Sequence, residues 1–482
     1  MSPSARPSST ADLAGGSIRL PPRPCRHVEA RPVTPWTGEP GTAGTVAVVG
    51  AGKMGLPLAA QFAGHGWDVI AVDIDPRVVE SINAGRSHVG EEPGLGELVE
   101  RAHAAGRLRA TIDGTEAARR ADVVVLIVPV MLDASQHPDH RWMDAAVESI
   151  APGVHVGSLV IFETTLPVGD TRDRYAPLLE ATSGLSATGS GEGRFHVAFS
   201  PERLYSGAAI ENLATYPKLV GGLDETSTAL AAAFYESVLD AEVVAMSSAE
   251  AAEFSKLADT TYRDVNIALA NEFARYAERI GVDITEVIAA ANSQPYSHIH
   301  QPGIGVGGHC IPVYPHFLLD RAPELSLVAR AREVNDGQVD RAVEAVTDVV
   351  PGLDGAAVLV LGLTYRHGVK ELAYSRAAPL IGALKARGAR VLAHDPLLDD
   401  AEISRAGAEP WTWGSPASGV VAIVTQTADP AWLGLDPAWF PDLRLVYDGR
   451  NSLSTLLGRL GAGVVYRGVG VPDDRRAPVA VD

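Results

Sequence analysis

The chain has 482 residues, 46% of them hydrophobic and 21% charged, and a formal net charge of −19; this suits two or three globular domains and disfavours a nucleic-acid partner, because phosphate binding needs a basic footprint. Only two cysteines occur, Cys25 and Cys310, which excludes a disulfide-built scaffold and fits a reducing compartment. No apolar run reaches the length of a membrane span and the N-terminus lacks the apolar core of a signal peptide, so the expectation is a cytoplasmic protein without a membrane partner.

Residues 1–43 are crowded with Pro, Ser, Arg, Gly and Thr and lack periodicity, the profile of a disordered tail. The fold is expected to begin near Gly44. From Thr45 short β-branched runs (TVAVVG, DVIAVD, ADVVVLIVP, SLVIFETT, FHVAFSPER) alternate with helical patterns, which predicts a parallel sheet wound on both faces. Between Ser247 and Gly281 a stretch with helical spacing carries no Pro and no internal Gly; Ser247 and Glu250 stand in capping-box positions and Gly281 closes it. A second alternation follows through AAVLVLG, ALKARGARVLAHD, VVAIVTQT and LRLVYDGRN. The predicted fold class is therefore α/β: two Rossmann-like doubly wound parallel sheets joined by a central helical domain with one long helix. The expected divisions are 1–43 (tail), 44–246 (cofactor domain), 247–336 (helical, dimer-forming) and 337–482 (nucleotide-substrate domain).

Thr45 to Asp73 reads strand, Gly50-Ala-Gly52-Lys53-Met54-Gly55, helix, strand, acid. This is a dinucleotide fingerprint in its required context. Gly50 serves the tight turn, Gly52 the approach of backbone to the pyrophosphate, and Gly55 the packing of helix on strand. Asp73 closes the second strand, where an acid accepts from the ribose and repels a 2′-phosphate, so the cofactor is expected to be NAD.

The segment QPGIGVGGHCIP surrounds Cys310 with glycines, which bring backbone close to a ligand and leave a thiol accessible; a buried structural cysteine is the bland alternative. His309 is read as loop packing. In the long helix Lys256, Thr260 and Arg263 share one face. The neighbouring residues are so apolar that Lys256 should be buried, and a buried lysine is costly unless it has a task.

These residues resemble the UDP-glucose/GDP-mannose dehydrogenase family, and within it the branch acting on UDP-N-acetylmannosamine. The likeness runs from Val46 to Asn451 and rests on GAGKMGLPLA, ETTLPVG, SPERLYSG, EFSKLADTTYRDVNIALANE, PGIGVGGHCIPVYP, ARAREVND, GLTYR and HDP. It implies two successive NAD-linked oxidations that turn a sugar hydroxymethyl group into a carboxylate. Cys310 would hold the aldehyde as a thiohemiacetal and then a thioester. Lys256 would support the alkoxide and lower the thiol pKa, while Glu202 and Thr165 would serve thioester hydrolysis. The implied substrate-binding set is Arg203, Thr260, Arg263, Asn266, Tyr296, Gly307, Tyr314 and Arg366, and the implied assembly a homodimer, motivated also by the apolar stripe from Phe254 to Phe273.

Four positions depart from the family pattern. Thr260 stands for an asparagine and Tyr314 for an aspartate, the pair that normally holds the catalytic water. Tyr296 replaces an arginine that reaches the neighbouring subunit's site. Lys370-Glu371-Leu372-Ala373 replaces an acid-acid-Leu-Arg run, so a substrate-side arginine is missing; Arg366 and Lys370 are candidates to compensate. Three readings follow: activity on an altered nucleotide sugar or a nucleoside bearing a primary alcohol, oxidation that stops at the aldehyde or passes the thioester to another acceptor, or a non-catalytic NAD-binding partner.

Overall fold

The computed structural model describes residues 36–39, 42–90, 92–188, 193–203 and 207–472. Cys25 and nearly all of the 1–43 segment lie outside them. Trp36, which an onset near Gly44 leaves out of the fold, packs edge-on against Trp67 with ring centroids 5.2 Å apart and touches Phe234. An indole buries too much apolar surface to be left in water when a ring cluster stands beside it.

The first sheet has eight strands: β1 (Thr45–Val49), β2 (Asp68–Val72), β3 (Leu108–Thr111), β4 (Val123–Leu126), β5 (Leu159–Phe162), β6 (His196–Phe199), β7 (Lys218–Gly222) and β8 (Val243–Ala245). Their order is β8-β7-β6-β5-β4-β1-β2-β3. Alternate residues of β1 feed two separate cores, Ala47 and Val49 on one face and Val46 and Val48 on the other, as a sheet covered by helices on both faces requires. The sheet is parallel, as expected, apart from one pairing, β6 with β7, which is antiparallel at Phe199 and Gly221. Because β1 and β4 are neighbours while the chain winds away from them in opposite directions, the crevice beyond their carboxyl ends is the switch point where open α/β sheets bind ligands.

The second sheet comprises β9 (Ala357–Leu361), β10 (Arg390–His394), β11 (Glu409–Pro410), β12 (Val420–Thr425), β13 (Leu445–Asp448) and β14 (Val465–Gly468), in the order β11-β10-β9-β12-β13-β14. It too separates two cores, one containing Val358 and Val360 and the other Leu359 and Leu361.

Helix α1 (Gly55–Gly64) follows the glycine turn. Helix α2 (Ala249–Ile280) is a single rod of 32 residues. Its N-cap is Ser248, whose side chain accepts from the Ala251 N–H, rather than Ser247. Glu250 does not complete a capping box but pairs with Arg172 at 2.5 Å. Gly281 closes the helix in the left-handed region. One turn into α2 the fully buried Glu253 accepts from the N–H groups of Gly169 (2.6 Å) and Thr171 (3.0 Å), fastening the helix to the first domain. At its far end Glu278 accepts from the Gly470 N–H at 2.9 Å, fastening it to the second sheet. Further along lie α3 (Tyr314–Arg321) and α4 (Ser326–Asp336). Helix α4 is locked to α2 by a buried network in which Asp264 takes Arg332 (2.5 Å) and Asn335 (2.8 Å), and Asn335 in turn takes Asn271 (3.0 Å). Among the described residues no helix is long and apolar enough to cross a membrane.

Candidate active site

The cofactor fingerprint folds as its glycines require. Gly50 sits at φ 95°, and a Cβ on Gly55 would lie 1.8 Å from the Gly50 carbonyl oxygen, so any side chain there would separate helix from strand. Gly52 faces open space. Asp73 accepts from the Ala51 N–H (3.0 Å) and the Asp75 N–H (2.9 Å), tying the glycine turn to the end of β2 while each carboxylate oxygen keeps a lone pair for a ribose hydroxyl. Met54 forms the last turn before α1. The residues therefore fit a dinucleotide. Lys53 points across to the second α/β domain, where its Nζ lies 3.2 Å from Glu371 Oε2.

Cys310 precedes α3, and its carbonyl accepts from the Tyr314 N–H at 2.9 Å. This places the thiol and the Tyr314 phenol one turn apart on one face. The thiol interacts with the Tyr314 hydroxyl and feels the charges of Lys256, Glu202 and Arg263; the same hydroxyl meets Thr165 and feels the charge of Glu202. The chain thus brings Cys310, Lys256, Glu202, Thr165, Tyr314 and Arg263 together from four separate segments. Burial pushes the Cys310 thiol above its ordinary value and outweighs the opposing pull of Lys256, Tyr314 and Arg263. The expectation that Lys256 lowers the thiol pKa holds for its sign alone, since the net shift is upward. Burial likewise holds Tyr314 well above the usual phenol range, reinforced by the sulfur, so it is a neutral donor and not a base.

Lys256 is 6% exposed and has no acid partner among the described residues. An ammonium so placed is held ready for negative charge that develops during a reaction. Thr260 does not face the site as a donor: its hydroxyl bonds back to the Lys256 carbonyl at 2.9 Å, as a helical threonine readily does. Arg263 pairs with Asp259 at 2.9 Å. Asn266 spends its amide on the chain leading to Cys310, donating to the His298 carbonyl (2.7 Å) and accepting from the His300 N–H (3.0 Å). Arg203 reaches the Pro217 carbonyl, next to a buried Glu163–Lys218 pair under the SPER turn. Tyr296 is 92% exposed and lies apart from this group within the chain.

Between the loop that leads to Cys310 and the second α/β domain lies a cavity of about 340 Å³, lined by Gln301 and Gly307 of that loop and by Arg366, His367, Thr427 and Arg450. Gly307 and Gly308 are needed for packing as much as for ligand approach: a Cβ on either would press on Tyr365 at about 3 Å. Arg450 was not legible as a site residue. It sits just past the carboxyl end of β13, donates to the Gln426 carbonyl at 2.7 Å, and has no carboxylate ion pair among the described residues, because Asp448 is taken by Thr425, Leu453 and Tyr466. Burial lowers its pKa to about 10, against the pull of Asp448. The strand-end position of DGRN was the available signal. Arg366 lines the cavity; Lys370 turns to Glu402 at 2.8 Å. His367 is held by Asp429 at 2.7 Å.

Comparison with known proteins gives a consistent picture. Residues 44–239 match the model of the UDP-glucose/GDP-mannose dehydrogenase family NAD binding domain, 250–337 its central domain and 359–455 its UDP binding domain. The chain is 33% identical over 440 residues to the UDP-N-acetyl-D-mannosamine dehydrogenase of Pyrococcus horikoshii, covering 89% of this chain and 99% of that one. It is 36% identical over 340 residues to the NDP-N-acetyl-D-galactosaminuronic acid dehydrogenase of Ralstonia solanacearum, covering 70% and 79%. The solved UDP-D-ManNAc dehydrogenase of P. horikoshii superposes with a TM-score of 0.76 at 32% identity, over 88% of this chain and 99% of that one.

Proposed function

Because the chain belongs to the UDP-glucose/GDP-mannose dehydrogenase family, and is on that ground an NAD-dependent nucleotide-sugar dehydrogenase, we propose that it oxidises the primary alcohol of an atypical nucleotide sugar, or of a nucleoside, to a carboxylate through a covalent adduct on Cys310. The observation that carries this is the buried Lys256, without an ion-pair partner among the described residues, acting on the Cys310 thiol, while the loop that leads to Cys310 lines a cavity with Arg366 and Arg450 that suits an anionic nucleotide.

NAD, when bound, supplies the hydride acceptor. In the first oxidation Lys256 supports the alkoxide as the C–H bond breaks. The Cys310 sulfur then bonds to the aldehyde carbon and the thiol proton passes to the carbonyl oxygen, giving a thiohemiacetal. A second hydride leaves the same carbon for a fresh NAD while the hydroxyl proton is released, leaving a thioester. Water adds to its carbonyl carbon, the C–S bond breaks, the sulfur leaves as thiolate, and Glu202, assisted by Thr165, takes the water proton. Holding the aldehyde on sulfur keeps it in place while NADH is exchanged for NAD.

A second reading rests on Tyr314. Its hydroxyl bridges Cys310 and Thr165, where a hydrolytic water has to approach, and it cannot act as a carboxylate base at neutral pH. Oxidation that halts at the aldehyde, or a thioester that awaits another acceptor, follows from that placement. Counting NADH formed per substrate consumed, across UDP-, GDP- and TDP-sugars, with the product identified by mass spectrometry, separates the readings: two NADH with free carboxylate supports the acid-forming one, two with an acyl-transfer product the thioester that goes to another acceptor, and one the aldehyde-forming one. No turnover with any member of the panel would count against the nucleotide-sugar assignment.

The assembly we infer is a homodimer through α2. Phe254, Tyr262, Leu269, Phe273, Tyr276 and Ile280 form an exposed apolar stripe along one side of that helix, more apolar surface than a single chain leaves in water without a partner.

A further inference from the structure

One four-residue segment of the second α/β domain, Glu371–Tyr374, touches three elements around the switch-point crevice. Glu371 Oε2 lies 3.2 Å from Lys53 Nζ on the glycine turn after β1 and 3.7 Å from His309 Nε2 beside Cys310. Its other oxygen accepts from the Ala373 N–H at 3.0 Å, which fixes the carboxylate in the bridging position. The Tyr374 hydroxyl meets the backbone of Leu132, in the short hairpin that follows β4. The Tyr374 ring packs against His309 with centroids 5.5 Å apart. Tyr374 also holds φ 54°, a left-handed conformation that a bulky residue adopts only where surrounding contacts impose it. Burial acts to raise the Glu371 pKa, yet the Ala373 N–H and the charges of Lys53 and His309 bring it below the ordinary carboxylate value, so it bridges as an anion.

The turn after β1 and the hairpin after β4 are the two walls of the crevice in which an open α/β sheet holds its ligand. A segment joined to both walls, and to the loop of the nucleophile, spans the mouth of that crevice. We propose that Glu371 and Tyr374 are cofactor-retaining residues contributed by the second α/β domain, which fasten Lys53 and the β4 hairpin across the crevice and so set how fast NADH leaves between the two oxidations. The inference rests on the reading of the glycine turn as the NAD site. Glu371 and Tyr374 act through Lys53 and Leu132, and are positioning residues. With Lys53 45% and Glu371 23% exposed, the ion pair is within reach of salt screening.

The test is stopped-flow NADH fluorescence on the full chain, with UDP affinity by calorimetry as an internal control. Glu371→Gln and Tyr374→Phe are each expected to speed NADH release several-fold and to raise KM for NAD, while UDP affinity stays unchanged. Glu371→Asp should restore part of the retention. Added salt should speed release from the unaltered protein and have less effect on Glu371→Gln. Normal NADH binding with release unchanged or slowed in both variants overturns the proposal alone, as does a parallel loss of UDP affinity, which would indicate a general structural role. Failure of the unaltered protein to bind NADH overturns the reading of the glycine turn, and this inference with it.

Discussion

The Tyr314 phenol returns one helical turn to the Cys310 thiol, its own N–H bonded to the Cys310 carbonyl at 2.9 Å. The nucleophile is thus followed by a neutral hydrogen-bond donor at the position from which a carboxylate base would act. Cys310→Ala is expected to abolish carboxylate formation, because no thioester forms, while the reversible alcohol–aldehyde step continues, since that hydride leaves a carbon with no bond to sulfur. Mass spectrometry of products checks this; carboxylate made at the unaltered rate would overturn the covalent mechanism.

Thiol reactivity reports the electrostatics of the site. Cys310 titrates above its ordinary value and Lys256 pulls it down, so alkylation by iodoacetamide should climb as pH rises past neutrality. Lys256→Ala removes the downward pull and should move that rise to higher pH. The same substitution is expected to slow both oxidations by about 10²–10³-fold, the cost of losing one donor to a developing oxyanion. An alkylation profile that does not move would show that Lys256 does not act on the sulfur.

Tyr314→Asp combined with Thr260→Asn places an acid and an amide beside the thioester. General-base assistance is worth on the order of 10²-fold or more, so recovering part of it should speed acid release about tenfold. The structure sharpens the expectation for Thr260, whose hydroxyl is committed to its own helix and contributes no donor that the exchange would sacrifice. A loss of substrate affinity without faster release would identify the pair as pocket-shaping instead.

Glu253 has its pKa raised from 4.5 to about 7, chiefly by burial. A carboxyl raised on folding gives stability that is fully present below about pH 4.5 and is lost as pH rises through 7, an effect of roughly 3 kcal/mol at this shift. Glu253→Gln should flatten the pH dependence of the unfolding free energy within that window. Denaturant melts from pH 4 to 8 check it, and an unchanged slope would refute the assignment.

Phe273→Asp places a charge within the exposed stripe of α2. The expected outcome is a shift toward monomer at micromolar concentration in sedimentation, with the fold intact by circular dichroism. An unaltered protein that is already monomeric would remove the dimer reading.

Periodicity and the Gly50–Asp73 fingerprint made both sheets, the long helix and the cofactor turn legible, because each rests on local spacing. What stayed hidden depends on rotamers and on contacts between distant segments. Lys53 and Glu371 are 318 residues apart, and nothing local marks them as partners. A mid-helix threonine reads as a polar site residue until its hydroxyl is seen turned back on Lys256. Asn266, assigned to substrate, also holds the 298–300 chain. Arg450 escaped because its meaning comes from the company Asp448 keeps, and Tyr314 was read as a lost acid and a substrate-side residue, without its contact to the sulfur.

Helix α2 also works as a lever with a fixed fulcrum. It is pinned at Glu253 to the first domain and at Glu278 to the second sheet, and at 1.5 Å per residue Lys256 lies only about 4.5 Å beyond the first pin while Glu278 lies roughly 37 Å away. A swing that carries the far end through about 4 Å therefore moves Lys256 by roughly 0.5 Å. A hinge of that kind would leave the ammonium beside the Cys310 thiol while the far end of the helix follows the second sheet.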